Sequence, residues 1–159
     1  FGRFNVKTQE VTLIKQLELS GSLGTNPGPY LIYYFVDSNF YMSDQNLSSV
    51  YKITPDGECE WFCGSATQKT VQDGLREEAL FAQPNGMTVD GFKGYCLRKL
   101  DILDGYVSTV AGQVDVASQI DGTPLEATFN YPYDICYDGE GGYWIAEAWG
   151  KAIRKYAVE

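Results

Sequence analysis

The sequence predicts an all-β fold, a β-propeller built of four-stranded antiparallel blades, and two observations carry that prediction. The first is an internal repeat. Asp73-Gly74, Ala79, Phe81 and Pro84 recur as Asp121-Gly122, Ala127, Phe129 and Pro132, an offset of 48 residues. Gly64 and Gly112 share this offset, as do Asp56-Gly57 and Asp104-Gly105, and Val11, Cys59 and Val107 fall at successive steps of it. The second is the texture of each unit. Short apolar runs alternate with Asp-Gly and Gly-rich turns, and no stretch carries apolar spacing of helical period. Units of this length with four strands each fit the roughly 40 to 50 residues of propeller blades.

The elements follow in chain order. Residues 1–16 read as the outer strands of an earlier blade, with Phe4 to Ile14 carrying the match. Residues 29–64 read as a complete blade: a first strand after Pro29, a second at Phe40–Asp44 and a third at Val50–Ile53. The turn Pro55-Asp56-Gly57 then leads to a fourth at Cys59–Cys63. The last module, 132–159, repeats the first without a gap at a distance of 103 residues. Its strands are Ile135–Tyr137, Tyr143–Glu147 and Ile153–Tyr156, and it lacks the outer strand.

The middle blade, 84–112, is anomalous. From its proline to the residue opening the third strand is 13 residues, against 21 in the other two, and the eight absent residues correspond to the second strand. Gly91–Gly94 then reads as the loop before strand three. Deleting an interior strand would strand backbone donors and acceptors on both neighbours. The expectation is therefore that residues are missing near 90–92. The stretch from Gln16 to Pro29 is also short, 13 residues against 20, which admits a second omission.

The 159 residues hold a little over three modules, whereas propellers close with about 4 to 8 blades. The chain is then part of a larger polypeptide, or copies of it complete the ring, or the molecule is an open arc. The first is expected, with a six-bladed ring. The chain starts at Phe1 and not at Met, which reads as a processed or trimmed product.

Composition narrows the function. The net charge of −9 argues against nucleic acid, because phosphate binding needs clustered Lys and Arg. The longest apolar run, Leu31 to Val36, falls far short of the roughly 20 residues that span a bilayer, so no membrane insertion is expected. With no histidine in the chain, a Ser-His-Asp or Cys-His nucleophile and a His-ligated zinc are excluded. In the fourth strand of the first blade, alternation would place Cys59, Trp61 and Cys63 on one face. The Cα atoms of Cys59 and Cys63 would then lie about 13 Å apart, too far for a disulfide. The four cysteines, with Cys96 and Cys136, read as buried small hydrophobes, not a metal site, and the redox compartment stays open.

Three runs now carry a resemblance. Phe40-Tyr-Met-Ser-Asp44 is followed after five residues by Val50-Tyr-Lys-Ile53 and then by Pro55-Asp56-Gly57. Ile145-Ala-Glu147 is followed after five residues by Ile153-Arg-Lys155. Val107-Ser-Thr-Val-Ala-Gly112 precedes Asp121-Gly122, Ala127, Phe129 and Pro132. Together they resemble the NHL-repeat β-propeller family, and most of all its bacterial cell-surface versions. Two departures stand out: Tyr51 stands where Arg98 and Arg154 stand, and Glu147 replaces the aspartate found as Asp44.

The acids and arginines of this pattern read first as blade braces. Asp44 and Glu147 end second strands, Arg98 and Arg154 lie on third strands, and Asp73 and Asp121 precede glycines where carboxylates brace loops. The ligand-binding candidates are aromatic or polar residues at loop tips and strand entries: Tyr30, Asn85, Tyr133, Phe92 and Trp149. Such rings suit stacking on a sugar or clasping a peptide. The resemblance implies a non-catalytic binding or scaffold propeller, extracytoplasmic or at the cell surface, that recognises a protein or carbohydrate ligand through loops on one face. No cofactor or metal is expected. The alternative it leaves open is a metal-dependent lyase or hydrolase with its site at the central channel; the absence of histidine counts against the amidating-lyase type, whose metal is held by histidines.

Overall fold

A computed structural model of the chain describes the backbone of residues 2–5, 10–13, 29–34, 37–86, 90–92 and 95–158, and side chains within 37–86 and 95–158. The described residues form strands and turns without a helix, and every strand pair is antiparallel.

Strands β1 (Gly2–Asn5) and β2 (Glu10–Leu13) make a two-stranded ladder. Next comes a four-stranded meander of β3 (Pro29–Tyr34), β4 (Asn39–Asp44), β5 (Ser49–Ile53) and β6 (Cys59–Gly64), in that spatial order. The last sheet, β11 (Pro132–Tyr137), β12 (Gly142–Glu147) and β13 (Ala152–Ala157), has three strands. Asp-Gly turns join neighbouring strands, as at Asp138-Gly139, where Asp138 Oδ1 accepts the amides of Glu140 and Gly142, both at 2.8 Å.

The middle sheet departs from the sequence reading. Its spatial order is β7-β10-β9-β8, made of β7 (Gly74–Leu75), β8 (Asp90–Phe92), β9 (Cys96–Leu100) and β10 (Tyr106–Gly112). Gly91 and Phe92 therefore belong to a strand, not to a loop: Gly91 pairs with Arg98 and Phe92 with Leu97. Among the described residues β8 is the edge strand of this sheet, beside β9. On the opposite edge, the linker following the first meander adds β7, with Val107 opposite Gly74. This two-residue pairing has no sequence periodicity of its own.

A second correction concerns the outer strands. Val50 pairs with Cys63 but Tyr51 pairs with Trp61, so Phe62 is an extra residue in β6. Val110 is the corresponding extra residue in β10, between Thr109 and Ala111. A bulge breaks strict alternation. Hence Phe62 and Cys63 both turn inward while Trp61 is exposed, and Cys59, Trp61 and Cys63 do not share a face. The cysteines divide in the same way: Cys63 and Cys96 are buried, Cys59 is half-buried and Cys136 is exposed, all four as free thiols.

Two apolar clusters hold the sheets face to face. Tyr41, Val50, Phe62 and Cys63 of the first meander meet Ala79, Phe81 and Val107. Leu97, Ala111 and Phe129 meet Ile135 and Ile145 of the last sheet. In each case a linker phenylalanine, Phe81 or Phe129, is the wedge between one sheet and the next, which explains why Ala-x-Phe is repeated. Non-glycine residues with left-handed backbone open each third strand: Ser48 (φ 47°), Tyr95 (φ 59°) and Lys151 (φ 50°). The glycines ending β6 and β10, Gly64 (φ 99°) and Gly112 (φ 86°), pack against these openings. A Cβ on Gly112 would lie 2.7 Å from the Cα of Cys96, so only glycine fits there.

Candidate functional site

The acidic and basic residues form braces within and between sheets. Arg98, 1% exposed, donates to the Leu80 carbonyl at 3.0 Å, the Gln72 carbonyl at 2.8 Å and Asp73 Oδ1 at 2.8 Å. Its guanidinium lies 5.4 Å from the centre of the Phe81 ring. Burial lowers the pKa of Arg98 from its ordinary value, with Cys96 and Asp73 opposing that shift. Asp73 also takes the backbone amide and hydroxyl of Thr109, at 3.0 and 2.9 Å. Arg154 repeats this arrangement with the Ile120 and Thr128 carbonyls, Asp121 and the Phe129 ring, and adds Glu147 at 2.9 Å.

In the first sheet Tyr51 replaces the arginine. Its phenol is raised from the ordinary value by burial and by the charge of Asp44. Asp44 Oδ1 accepts the amides of Asn46 at 2.8 Å and Leu47 at 3.0 Å, bracing the turn that follows β4. Its Oδ2 is buried without a hydrogen-bond partner among the described residues. Asp44, Asp73, Glu147, Arg98 and Arg154 hold backbone and Asp121 holds Arg154, and among the described residues no three His, Cys, Asp or Glu side chains converge as metal ligands.

The aromatic residues are arranged differently. Trp149, in the turn between β12 and β13, is 72% exposed. It stacks on Tyr131 with ring centres 5.3 Å apart and an interplanar angle of 24°. Tyr131 in turn meets Tyr95 edge-on at 6.4 Å. Both tyrosines have left-handed backbone, φ 62° at Tyr131 and 59° at Tyr95. Such conformations on non-glycine residues are costly and persist where the surroundings over-determine them. Here Tyr131 is held by Pro132 after it and by Ala148, whose amide donates to the Tyr131 carbonyl at 2.9 Å. The result is a row of three rings crossing from the middle sheet to the last.

The sequence-derived candidates scatter around this row. Tyr133, 46% exposed, sits on a bulge in β11, where Pro132 pairs with Glu147 and Asp134 with Ala146. Its carbonyl accepts the amide of Gly86 at 3.2 Å. Asn85 is buried, its carbonyl accepting the Ser43 hydroxyl at 2.6 Å and its side-chain nitrogen left without a partner among the described residues. Tyr30 pairs with Ser43 in the β3–β4 ladder and Phe92 with Leu97, and the side chains of both lie outside the described residues. Tyr95 and Tyr131 did not stand out from spacing. The signal was their place: Tyr95 stands immediately before the third strand, as Ser48 does in the first module, and Tyr131 immediately before the repeated proline, as Gln83 does before Pro84.

No family model and no curated protein matches the chain. Among solved structures it is similar to a protein of unknown function from Bacteroides thetaiotaomicron, with 93% identity over the whole of this chain and a TM-score of 0.91. It is also similar to two structures described as auxiliary nutrient binding proteins. The one from Bacteroides thetaiotaomicron is 20% identical over 97% of the chain with a TM-score of 0.75, and that from Bacteroides ovatus is 20% identical over 99% with a TM-score of 0.78. The two auxiliary nutrient binding proteins are propeller-type folds. The chain spans only 42%, 42% and 43% of the lengths of the three structures in turn. The all-β architecture of antiparallel sheets is thus that of a propeller. Among the described residues no helix is long and apolar enough to cross a membrane.

Proposed function

We propose that the chain is part of a non-catalytic NHL-type propeller, six-bladed in its complete ring, that holds a protein or glycan ligand against one face at the cell surface. The observation that carries this reading is the row Tyr95–Tyr131–Trp149, with the outermost ring largely open to solvent. An exposed indole stacked on a second ring offers a broad, rigid apolar plane at small entropic cost, which suits a sugar face or a peptide side chain. Tyr133 on its bulge and Phe92 on the adjoining short strand extend the same reading. The carboxylates of the repeated pattern, Asp44, Asp73, Asp121 and Glu147, each brace backbone or an arginine, which supports binding over catalysis. The two neighbours described as nutrient binding proteins support a binding role as well.

The test is intrinsic fluorescence and array binding with the 159-residue chain, using soluble oligosaccharides and extended peptides as probes, in parallel with Trp149→Ala. Binding to at least one probe that disappears in the variant, with an unchanged circular dichroism spectrum, is the expected result. Binding that survives Trp149→Ala, or no binding across both arrays, overturns the reading.

A further inference from the structure

The linker 113–126, which leads from β10 toward the last sheet, holds four apolar side chains in solvent. Val114 and Val116 flank Asp115 in the turn that opens it, where the Val116 amide donates to the Gln113 carbonyl at 3.2 Å, and both are exposed. Ile120 and Leu125, 57% and 62% exposed, stand on either side of Asp121-Gly122.

The other linker shows that the repeat does not require this. At the 48-residue offset, 65–78 has Ala66, Gln68, Gln72 and Glu77, and all four are exposed although β10 is paired beside that linker through β7. The apolar residues of the second linker therefore occupy positions that an adjoining outer strand leaves in solvent. Packing between blades does not account for them. Contiguous apolar side chains left in water mark surfaces that meet a partner.

This linker is fastened to the aromatic row. Gln119 Nε2 donates to the Gly150 carbonyl at 3.4 Å, one residue from Trp149, and the Gly150 amide donates to the Asn130 carbonyl at 3.1 Å, one residue from Tyr131. An added Cβ on Gly150 would lie 2.8 Å from Gln119 Nε2, so linker and turn are in direct contact. The linker also carries charge of one sign, with Asp115, Asp121 and Glu126 and no Lys or Arg. Arg154 takes Asp121, whereas Asp115 and Glu126 are in no ion pair among the described residues. The Trp149 turn has Lys151 instead, so the acidic character belongs to the linker and not to the surroundings of the indole.

We infer that the partner held at the aromatic row is a protein segment, with bulky apolar side chains that pack on Val114, Val116, Ile120 and Leu125 and with lysine or arginine beside them for Asp115 and Glu126. This rests on the reading of the row as a recognition site and names what that site takes. A pyranose offers one apolar face to an indole, but its hydroxyls need hydrogen-bond partners, and branched aliphatic side chains beside the indole give none. Apolar peptide side chains make no such demand. They and the linker's aliphatic side chains leave water together, while Trp149 supplies the large anchor on which protein contacts depend. The basic residues meet the linker's carboxylates, and the net charge of −9 draws such a segment in.

Short random peptides displayed on phage are selected against the full 159-residue chain, and the selected sequences are synthesised with a fluorescent label and titrated by anisotropy, with soluble oligosaccharides titrated in parallel. The expected peptides combine Leu, Ile or Phe with Lys or Arg. Their binding should weaken by about tenfold or more in Val116→Ser, Ile120→Ser and Trp149→Ala, and hold in Gln68→Ser, the matching site of the other linker. The linker substitutions are at exposed positions, and an unchanged thermal melt by circular dichroism confirms that the fold survives them. Peptides without that composition, or binding that Val116→Ser and Ile120→Ser leave intact, overturn the inference. Oligosaccharide binding that Trp149→Ala abolishes and the linker variants do not also overturns it, while leaving the row a recognition site. Binding of neither class overturns both readings.

Discussion

Arg154 Nη1 donates to Glu147 Oε1 at 2.9 Å on a diagonal of the β12–β13 ladder, where Arg154 itself faces Ile145 and Glu147 faces Ala152. Diagonal neighbours on one face of an antiparallel pair are within reach of long side chains. The carboxylate is buried, and its other oxygen takes the Asn130 amide at 3.3 Å. Removing the arginine alone would leave a buried charge facing the Thr128 carbonyl. Arg154→Met is therefore expected to cost about 3 kcal/mol, and the double variant with Glu147→Gln less than the sum of the singles. Urea unfolding of the four members of the cycle measures the coupling, and strict additivity would contradict a working pair.

Glycine at the end of β10 is a steric requirement as well as a conformational one. Gly112→Ala is expected to destabilise by about 3 kcal/mol, combining positive φ with backbone overlap at Cys96. Gly139 also has positive φ, 83°, but nothing lies within 4 Å of its added Cβ, so Gly139→Ala should cost only about 1 kcal/mol. Equal losses in chemical denaturation would show that the overlap at Gly112 is relieved elsewhere.

Asp138 gives the fold a pH dependence of known sign. The amides of Glu140 and Gly142, with Lys155 Nζ 3.0 Å away, hold its carboxyl down at about 2. A depressed carboxylate stabilises the fold above its unfolded pKa, near 4, and that contribution is lost as pH falls through the folded value. The melting temperatures of wild type and Asp138→Asn should differ by a constant amount from neutral pH to about 5 and converge between about pH 4 and 2. A difference that persists at pH 2 would locate the stabilisation outside the charge.

Thiol reactivity should divide the cysteines by burial. Desolvation pushes Cys63 up to about 12 and Cys96 to about 11, and raises Cys59 as well. Because the thiolate is the reactive form, Ellman's reagent at mild alkaline pH should label exposed Cys136 first. Cys63 and Cys96 should become available only on unfolding. Rapid modification of Cys96 in the native chain would contradict its burial at the start of β9.

Strand positions followed directly from the repeat because turns and their glycines act locally: Asp56-Gly57 and Asp138-Gly139 announce their turns without help from the rest of the chain. What escaped depends on partners distant in sequence. The extra residue at Phe62 is a property of two strands in register, so alternation within β6 alone misplaced Trp61. β7 exists only because β10 lies beside it. Cys136 has the apolar neighbours of an interior residue, yet its side of β11 faces outward. The braces were traceable through their spacing, whereas the ring row was not, since Tyr95, Tyr131 and Trp149 belong to three separate segments joined only by packing between sheets.

The bulges at Phe62 and Val110 also bear on descent. An irregularity placed at the same step of two 48-residue units is most economically inherited from a single parent that already had it. Arginine stands at the matching third-strand position of the other two units, as Arg98 and Arg154, and Tyr51 in the first alone. The kinked outer strand is common to both units while the charge beneath it is not, so a consensus module built from this chain should keep the extra residue and carry the arginine.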